Sequence, residues 1–128
     1  MNKFSARAVE VDGIKYPSKA EANRHQQLKL MERARAIRAL AHQPKFPLVV
    51  GGVTVGVYTA DFVYFDGGRQ VVEDVKGIVT EAASLRMRLF MALHPSHELR
   101  IVDAKGGWKK FVQRNVSAKV AENAAAHS

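Results

Sequence analysis

The chain has 128 residues, which suits a single domain, and hydrophobic residues make up 47% of it, so a folded core is expected. The net charge of +8 favours polyanionic partners, which include nucleic acids and anionic membrane surfaces. Met1–Ser5 lacks the apolar stretch of a signal peptide, and no apolar run reaches the ~18 residues that span a bilayer. The absence of cysteine excludes disulfides and thiolate metal sites, and we expect a cytoplasmic protein.

The N-terminal third of the chain predicts a short edge strand followed by a long helix. The apolar positions that favour the strand lie within residues 9–14. Ser18 and Glu21 have the capping-box spacing that begins a helix. The helix-forming residues that follow predict a helix from Ser18 to about Ala34, and they leave open whether it continues to Ala41.

A β-rich stretch begins after Gln43-Pro44, because proline interrupts the helical pattern. The strands predicted in it are 46–50, 53–65 and 70–78. Gly51-Gly52 predicts a turn between the first two strands, and Gly67-Gly68 predicts a tight hairpin between the last two, since glycine tolerates the positive φ of such loops. We therefore expect an antiparallel meander.

The C-terminal part predicts a helix over 81–93, a short strand over 98–102 and a basic segment, 108–114, for which we expect disorder. These elements predict an α+β fold in which helices flank one central mixed sheet that contains the meander. We expect one domain, residues 1–114, and a flexible tail, residues 115–128, that is rich in alanine.

The Gly67-Gly68 hairpin predicts a pair of opposed carboxylates. Counting back pair by pair from this turn places Asp61 opposite Asp74, where Cβ atoms lie roughly 4.5–5.5 Å apart and like charges repel. A divalent cation such as Mg²⁺ would explain the pair. Alternation places Lys76 on the face of Asp74, whereas Glu73 points the other way and is structural or solvated. The alternative is a salt bridge between Lys76 and the aspartates.

An aspartate on one strand and an acidic-x-lysine triplet on the next resemble the PD-(D/E)xK nuclease superfamily. The segments that resemble a phage-encoded nuclease family of this superfamily, often grouped with Holliday-junction resolvases, are Ser18-Lys19-Ala20-Glu21, Gln43-Pro44, Ala60-Asp61-Phe62 and Glu73-Asp74-Val75-Lys76-Gly77 with Thr80. The resemblance covers about residues 9–102. Ala60 replaces the proline of the motif, which is its most variable element.

The resemblance implies a restriction-endonuclease-like core and Mg²⁺- or Mn²⁺-dependent hydrolysis of DNA, in recombination within a bacterial host cell. It implies that Asp61 and Asp74 bind the metal, that the Val75 carbonyl and Glu21 complete the ligand set, and that Lys76 is the catalytic lysine. The capping box explains Glu21 equally well. Branched DNA is the expected substrate, and a homodimer is favoured because resolving a four-way junction needs two cuts.

Five further residues are candidates for DNA contacts. They are Gln43, Arg86, Arg88, Lys109 and Lys110. The two arginines lie on the helix after the acidic triplet, where they contact phosphates or form a solvated face. The glutamine contacts DNA or the acidic cluster, or it belongs to the helix-exit loop, and the two lysines form a basic arm with Arg114 around Trp108. The alternative function is a non-catalytic DNA-binding protein with a nuclease-like fold.

The five histidines show no metal-ligand spacing, and none is expected to bind a metal.

Overall fold

The computed structural model describes residues 8–113, so Arg114 and the predicted tail, residues 115–128, lie outside the described residues. Two helices form, α1 at Lys19–Arg33 and α2 at Glu81–Leu93. The strands are β1 Val9–Val11, β2 Ile14–Tyr16, β3 Arg38–His42, β4 Lys45–Val50, β5 Val53–Thr59, β6 Phe62–Asp66, β7 Arg69–Val75, β8 Glu98–Val102 and β9 Trp108–Lys110. Neither helix within the described residues has the length and apolar character needed to cross a membrane.

The central sheet has the strand order β3-β6-β7-β8-β9. Its neighbouring strands are antiparallel except for β7 and β8, which are parallel, so the predicted α+β fold with a mixed central sheet is confirmed. The remaining strands form two separate hairpins, β1-β2 and β4-β5. The predicted three-strand meander is therefore wrong, because only β6 and β7 of that region pair within the central sheet.

The strand predicted over residues 53–65 is broken at Ala60-Asp61. The Ala60 N–H donates to the Pro44 carbonyl at 3.1 Å, which closes the β4-β5 hairpin. The Asp61 N–H instead donates to the Glu73 carbonyl at 3.0 Å, which begins the contact with β7. The chain thus changes its hydrogen-bonding partner between two consecutive residues, and β5 and β6 belong to different sheets.

Helix α1 begins as the capping pattern predicts, because the Ser18 hydroxyl accepts a 3.2 Å hydrogen bond from the Glu21 N–H. It ends at Arg33, close to the predicted end at Ala34, and it does not continue to Ala41, which the sequence had left open. Arg35 has a φ of 63°, a left-handed conformation that stops the helix. The segment that follows becomes β3 and pairs with β6.

The core lies on both faces of the central sheet. Helix α1 and the β1-β2 hairpin cover one face, where Tyr16, Leu28 and Phe62 are buried. Helix α2 and the β4-β5 hairpin cover the other, where Met87 and Phe90 are buried. Strand β7 lies between these layers, so its residues 71–75 are all buried, including two acidic ones.

The C-terminal basic segment contains a strand rather than the expected disorder. Strand β9 pairs antiparallel with β8, so that Trp108 lies opposite Val102. The two strands are joined by a turn in which Gly106 has a φ of 88°, a conformation that suits glycine. The strand predicted over 70–78 ends earlier, at Val75.

Candidate active site

The two consecutive acids of β7, Glu73 and Asp74, point to opposite faces of the central sheet. Glu73 lies on the α1 side and contacts Arg24, whereas Asp74 lies on the side of the β4-β5 hairpin and contacts Tyr58. The predicted alternation is confirmed. Both side chains are almost completely buried, so each needs hydrogen-bond donors to offset the loss of water.

Glu73 is part of a buried ion pair. Arg24 donates two hydrogen bonds of 2.7 Å, one to each carboxylate oxygen, and the Tyr64 hydroxyl donates a third. The hydrogen bonds to Glu73 raise the pKa of Arg24, because they stabilise its charged form. Glu73 therefore has the structural role that was one of the two expectations, and it is not solvated.

Asp74 accepts a hydrogen bond from the Tyr58 hydroxyl through its Oδ2 atom. Tyr58 belongs to β5, so the β4-β5 hairpin supplies a partner for an acid of the central sheet. Burial raises the pKa of Tyr58, and the negative charge of Asp74 raises it further. The hydroxyl consequently stays protonated and remains a donor to the carboxylate.

Asp61 lies just before β6, and the ladder with β7 ends one pair short of it. The predicted hairpin register is confirmed from Asp66–Arg69 to Phe62–Glu73, but Asp61 is not paired with Asp74 within the ladder. The Asp61 Oδ2 atom instead accepts a 2.7 Å hydrogen bond from the Val75 N–H. Asp61 is 8% exposed, and its carboxylate thus reaches the residue that follows Asp74.

The negative charge of Asp61 affects the pKa values of two buried tyrosines, Tyr16 and Tyr58. Burial raises the pKa of Tyr16, and the negative charges of Asp61 and Glu21 raise it further. The charge of Asp61 also contributes to the raised pKa of Tyr58. Asp61 therefore acts on a phenol from each side of the sheet, and Glu21 shares its influence on Tyr16.

Lys76 follows β7 and lines two clefts. Its backbone N–H donates to the Val102 carbonyl at 2.9 Å, which fixes it beside β8. Its side chain lines a cleft of about 430 Å³ with Trp108 and Lys109, and a smaller one of about 160 Å³ with Arg86. Lys76 therefore places a positively charged, partly exposed side chain directly after the buried acidic residues of β7.

The donor chemistry of Asp61 and Asp74 fits a hard cation such as Mg²⁺. Magnesium commonly binds one or two carboxylates and takes its other ligands from water and substrate phosphate. Within residues 8–113, no three or more histidine, aspartate or glutamate side chains form a group that could hold a metal. The set proposed for Glu21, Asp61, Asp74 and the Val75 carbonyl is thus not assembled as a closed cage.

The five candidate DNA-binding residues divide into two groups. Gln43 donates its N–H to the Asp61 carbonyl at 2.8 Å, and Arg86 and Lys109 line the two clefts of Lys76. Arg88 lies elsewhere on α2, facing the segment after β9, and Lys110 lies 4.0 Å from Glu98. The first group contacts the backbone of Asp61 or lines a cleft with Lys76, and the second does neither.

Sequence reasoning missed a hydrogen-bonded chain that runs from buried Tyr16, whose pKa the charge of Asp61 affects, to an exposed carboxylate. The Tyr16 hydroxyl lies 2.6 Å from His25 Nδ1, and His25 Nε2 lies 2.8 Å from the Asp12 carboxylate. His42 stacks on His25 at 4.4 Å between ring centres. The available signal was the position of His25 one helical turn after Glu21, on the buried face of α1.

Residues 1–110 match the model of a family described as Protein of unknown function (DUF1064). This match includes every residue of the candidate site. A comparison with curated proteins found no match.

Proposed function

The chain belongs to the DUF1064 family of proteins of unknown function, and we propose that it is a metal-dependent DNA endonuclease of the PD-(D/E)xK type. The observation that carries the proposal is the arrangement around Val75. Asp61 bonds to the Val75 backbone, Asp74 precedes that residue, and Lys76 follows it. Two buried acidic residues and a lysine thus all lie at one end of β7. The proposal includes a restriction-endonuclease-like core.

The chemistry follows from the charges of these groups. Two buried carboxylates near each other are costly unless a positive charge compensates them. A bound Mg²⁺ or Mn²⁺ would supply that charge, and it would polarise the scissile phosphate and make a bound water more acidic. Asp61 and Asp74 would hold the ion. Lys76 would orient the attacking water and stabilise the negative charge that develops on the phosphate.

The proposed substrate is DNA, with branched DNA preferred, and the proposed setting is recombination in the cytoplasm of a bacterial host of a phage. The net charge of +8 favours a polyanion. Arg86 and Lys109 lie in the clefts that Lys76 lines, so they can bind phosphates on both sides of the reacting one. Such contacts position the duplex without reading its sequence.

The β4-β5 hairpin supports a homodimer as part of this proposal. Exposed valines lie along it at positions 49, 50, 53, 55 and 57. Strand β5 has no charged residue, and no strand of the described residues pairs with its second edge. Two copies with the same net charge can approach there with little repulsion and pair edge to edge about a twofold axis.

Light scattering of purified protein tests the dimer. We expect twice the mass of one chain for the unchanged protein and a single-chain mass for Val55→Glu. Val112→Glu changes an equally apolar, exposed residue away from the hairpin and should leave the dimer intact. A single-chain mass for the unchanged protein at high concentration would contradict this surface.

The alternative, a non-catalytic DNA-binding protein, is supported by one observation. Asp61 and Asp74 each accept a hydrogen bond within the protein, from the Val75 N–H and the Tyr58 hydroxyl, so both acids also fit a structural role.

Cleavage of a DNA panel separates the two functions. Linear, flapped and four-way substrates are incubated with the protein in Mg²⁺, in Mn²⁺ and in EDTA. An endonuclease cuts at least one substrate with either metal and none in EDTA. Binding to the panel without cleavage in either metal would favour the alternative.

A further inference from the structure

Trp108 is the one tryptophan of the chain, and it lies on the edge strand β9 with 49% of its surface exposed. It lines the cleft of about 430 Å³ together with Lys76 and Lys109. The Arg100 guanidinium lies 4.1 Å from the centre of its ring, which is cation–π geometry. A large aromatic side chain is thus held by a cation at the border of the candidate active site.

The register of the sheet fixes the distance between the backbones of Trp108 and Val75, the residue between Asp74 and Lys76. Val75 pairs with Val102 on β8, and Val102 pairs with Trp108 on β9. Neighbouring strands lie about 4.8 Å apart, so the backbone of Trp108 lies roughly 10 Å from that of Val75. The indole lies on the α1 side of the sheet, beside Arg100, and the cleft that Trp108 shares with Lys76 puts it within a few nucleotides of a phosphate held at Lys76.

The cleft carries the charges that a nucleic-acid strand needs. Lys76 and Lys109 are cations that can follow a phosphate backbone. Asp103 also lines this cleft, and its carboxylate accepts hydrogen bonds of 2.8 Å and 3.0 Å from the backbone N–H groups of Lys105 and Gly107. Asp103 is therefore engaged in forming the turn before β9, and these two donors reduce its repulsion of a nearby phosphate.

We propose that Trp108 is a stacking platform for an unpaired DNA base, so that the substrate carries a single-stranded segment beside the cleavage point. The inference deepens the proposed function and rests on it for the choice of DNA as the ligand. Base stacking on an exposed aromatic ring beside cations is the general mode by which proteins bind single strands without sequence preference. The guanidinium of Arg100 holds the indole in place and extends the stack.

The intrinsic fluorescence of Trp108 gives a direct test that requires no cleavage. Unchanged protein in EDTA is titrated with short oligo-dT, with the same length of duplex, and with oligo-U. Stacking of a base should quench the fluorescence with oligo-dT and leave it nearly unchanged with the duplex. An absence of quenching when fluorescence anisotropy of labelled oligo-dT shows saturation would overturn the proposal, and quenching by oligo-U at equal or lower concentration would overturn the choice of DNA.

Variants separate stacking from a role in folding. Trp108→Ala should weaken binding of labelled oligo-dT about tenfold, in the range measured for base-stacking side chains, and should change duplex binding less than twofold. Trp108→Phe keeps an aromatic face and should retain most of the affinity. Equal losses for single-stranded and duplex DNA in both variants would contradict the inference. If the protein cuts DNA but oligo-dT does not quench its fluorescence, only the stacking inference is refuted. If oligo-dT quenches the fluorescence but the protein never cuts DNA, only the proposed nuclease function is refuted.

Discussion

The Asp61 carboxylate accepts a 2.7 Å hydrogen bond from the backbone N–H of Val75, the residue that separates Asp74 from Lys76. A side chain just before β6 is thereby fixed to the backbone at the end of β7. Because β7 is paired on both sides, its backbone is a rigid support. The relative positions of the two aspartates are thus set by the sheet rather than by a flexible loop.

Asp61→Asn and Asp74→Asn should each reduce cleavage by ~100-fold or more, because a bound metal supplies several kcal/mol to the transition state and each change removes a charged ligand. DNA binding should persist, since neither residue is a cation. The matched control is Asp66→Asn, the same change at an exposed turn residue that pairs with Arg100 at 3.3 Å. Cleavage at the rate of the unchanged protein by either site variant would contradict the proposed centre.

Glu73→Gln should lower the free energy of unfolding by about 3 kcal/mol, because it leaves the charge of Arg24 buried without its carboxylate partner. Asp74→Asn, one residue away, should leave stability in EDTA equal or higher, since it removes a negative charge near Asp61. Urea unfolding of both variants measures the contrast. The rate of cleavage per folded molecule should rank the variants in the opposite order to their stability, with Glu73→Gln active and Asp74→Asn inactive.

Adding Arg24→Gln to Glu73→Gln is the control for that mechanism. The double variant removes both charges and should recover part of the lost stability. A further loss of the same size would show that the ion pair is not the cause.

The hairpin pairing, and the face of the sheet on which each of its acidic residues lies, could be predicted from the sequence because they depend on local rules. The Gly67-Gly68 loop fixes the pairing up to Phe62–Glu73, and strict alternation then assigns Glu73 and Asp74 to opposite faces. Helix α2 was predicted with its observed bounds for the same reason, since its pattern and ends are local.

The break at Ala60-Asp61 could not be predicted in this way. Residues 53–65 are uniformly favourable for a strand, and the change of partner depends on bonds to Pro44 and Glu73, which are distant in sequence. Strand β3 was missed because its alanines and leucine favour a helix, and pairing with β6 overrides that preference. Tyr58 as the donor to Asp74 joins two different sheets, and no spacing rule indicates such a contact.

Stability should fall as the pH decreases from about 7 to about 5, because two histidines are held neutral in the folded protein. Burial lowers the pKa of His42, and His25 and Lys29 lower it further against the opposing charges of Asp12 and Glu32. Burial and His94 lower the pKa of His97. The unfolded chain binds these protons first, so their stabilising contribution is complete above about pH 6.5 and is lost below it.

Urea unfolding at several pH values measures this dependence. The double variant His42→Asn/His97→Asn should show a shallower fall over the same interval, whatever its stability at neutral pH. Asp12 affects the pH dependence of stability only below this interval, because its hydrogen bond to His25 lowers its pKa from the usual carboxylate range. An unchanged slope in the double variant would assign the dependence to other groups.

The last prediction compares Arg86 with Arg88, two exposed arginines of the chain's second helix that point in different directions and differ in what lies beside them. Arg86 lines the cleft that contains Lys76 and Tyr58, whereas Arg88 lies near Phe111, and its Nε donates to the Ser84 carbonyl at 3.4 Å. Arg86→Ala should therefore weaken DNA binding and lower the slope of log affinity against log salt by about 1, as expected when one phosphate contact is lost. Arg88→Ala removes the same charge from the same helix and should leave the slope nearly unchanged. Anisotropy titrations at several salt concentrations, with EDTA present to prevent cleavage, measure both. Equal losses for the two variants would mean that only the net charge of the helix matters, and the assignment of Arg86 to the DNA path would then be wrong.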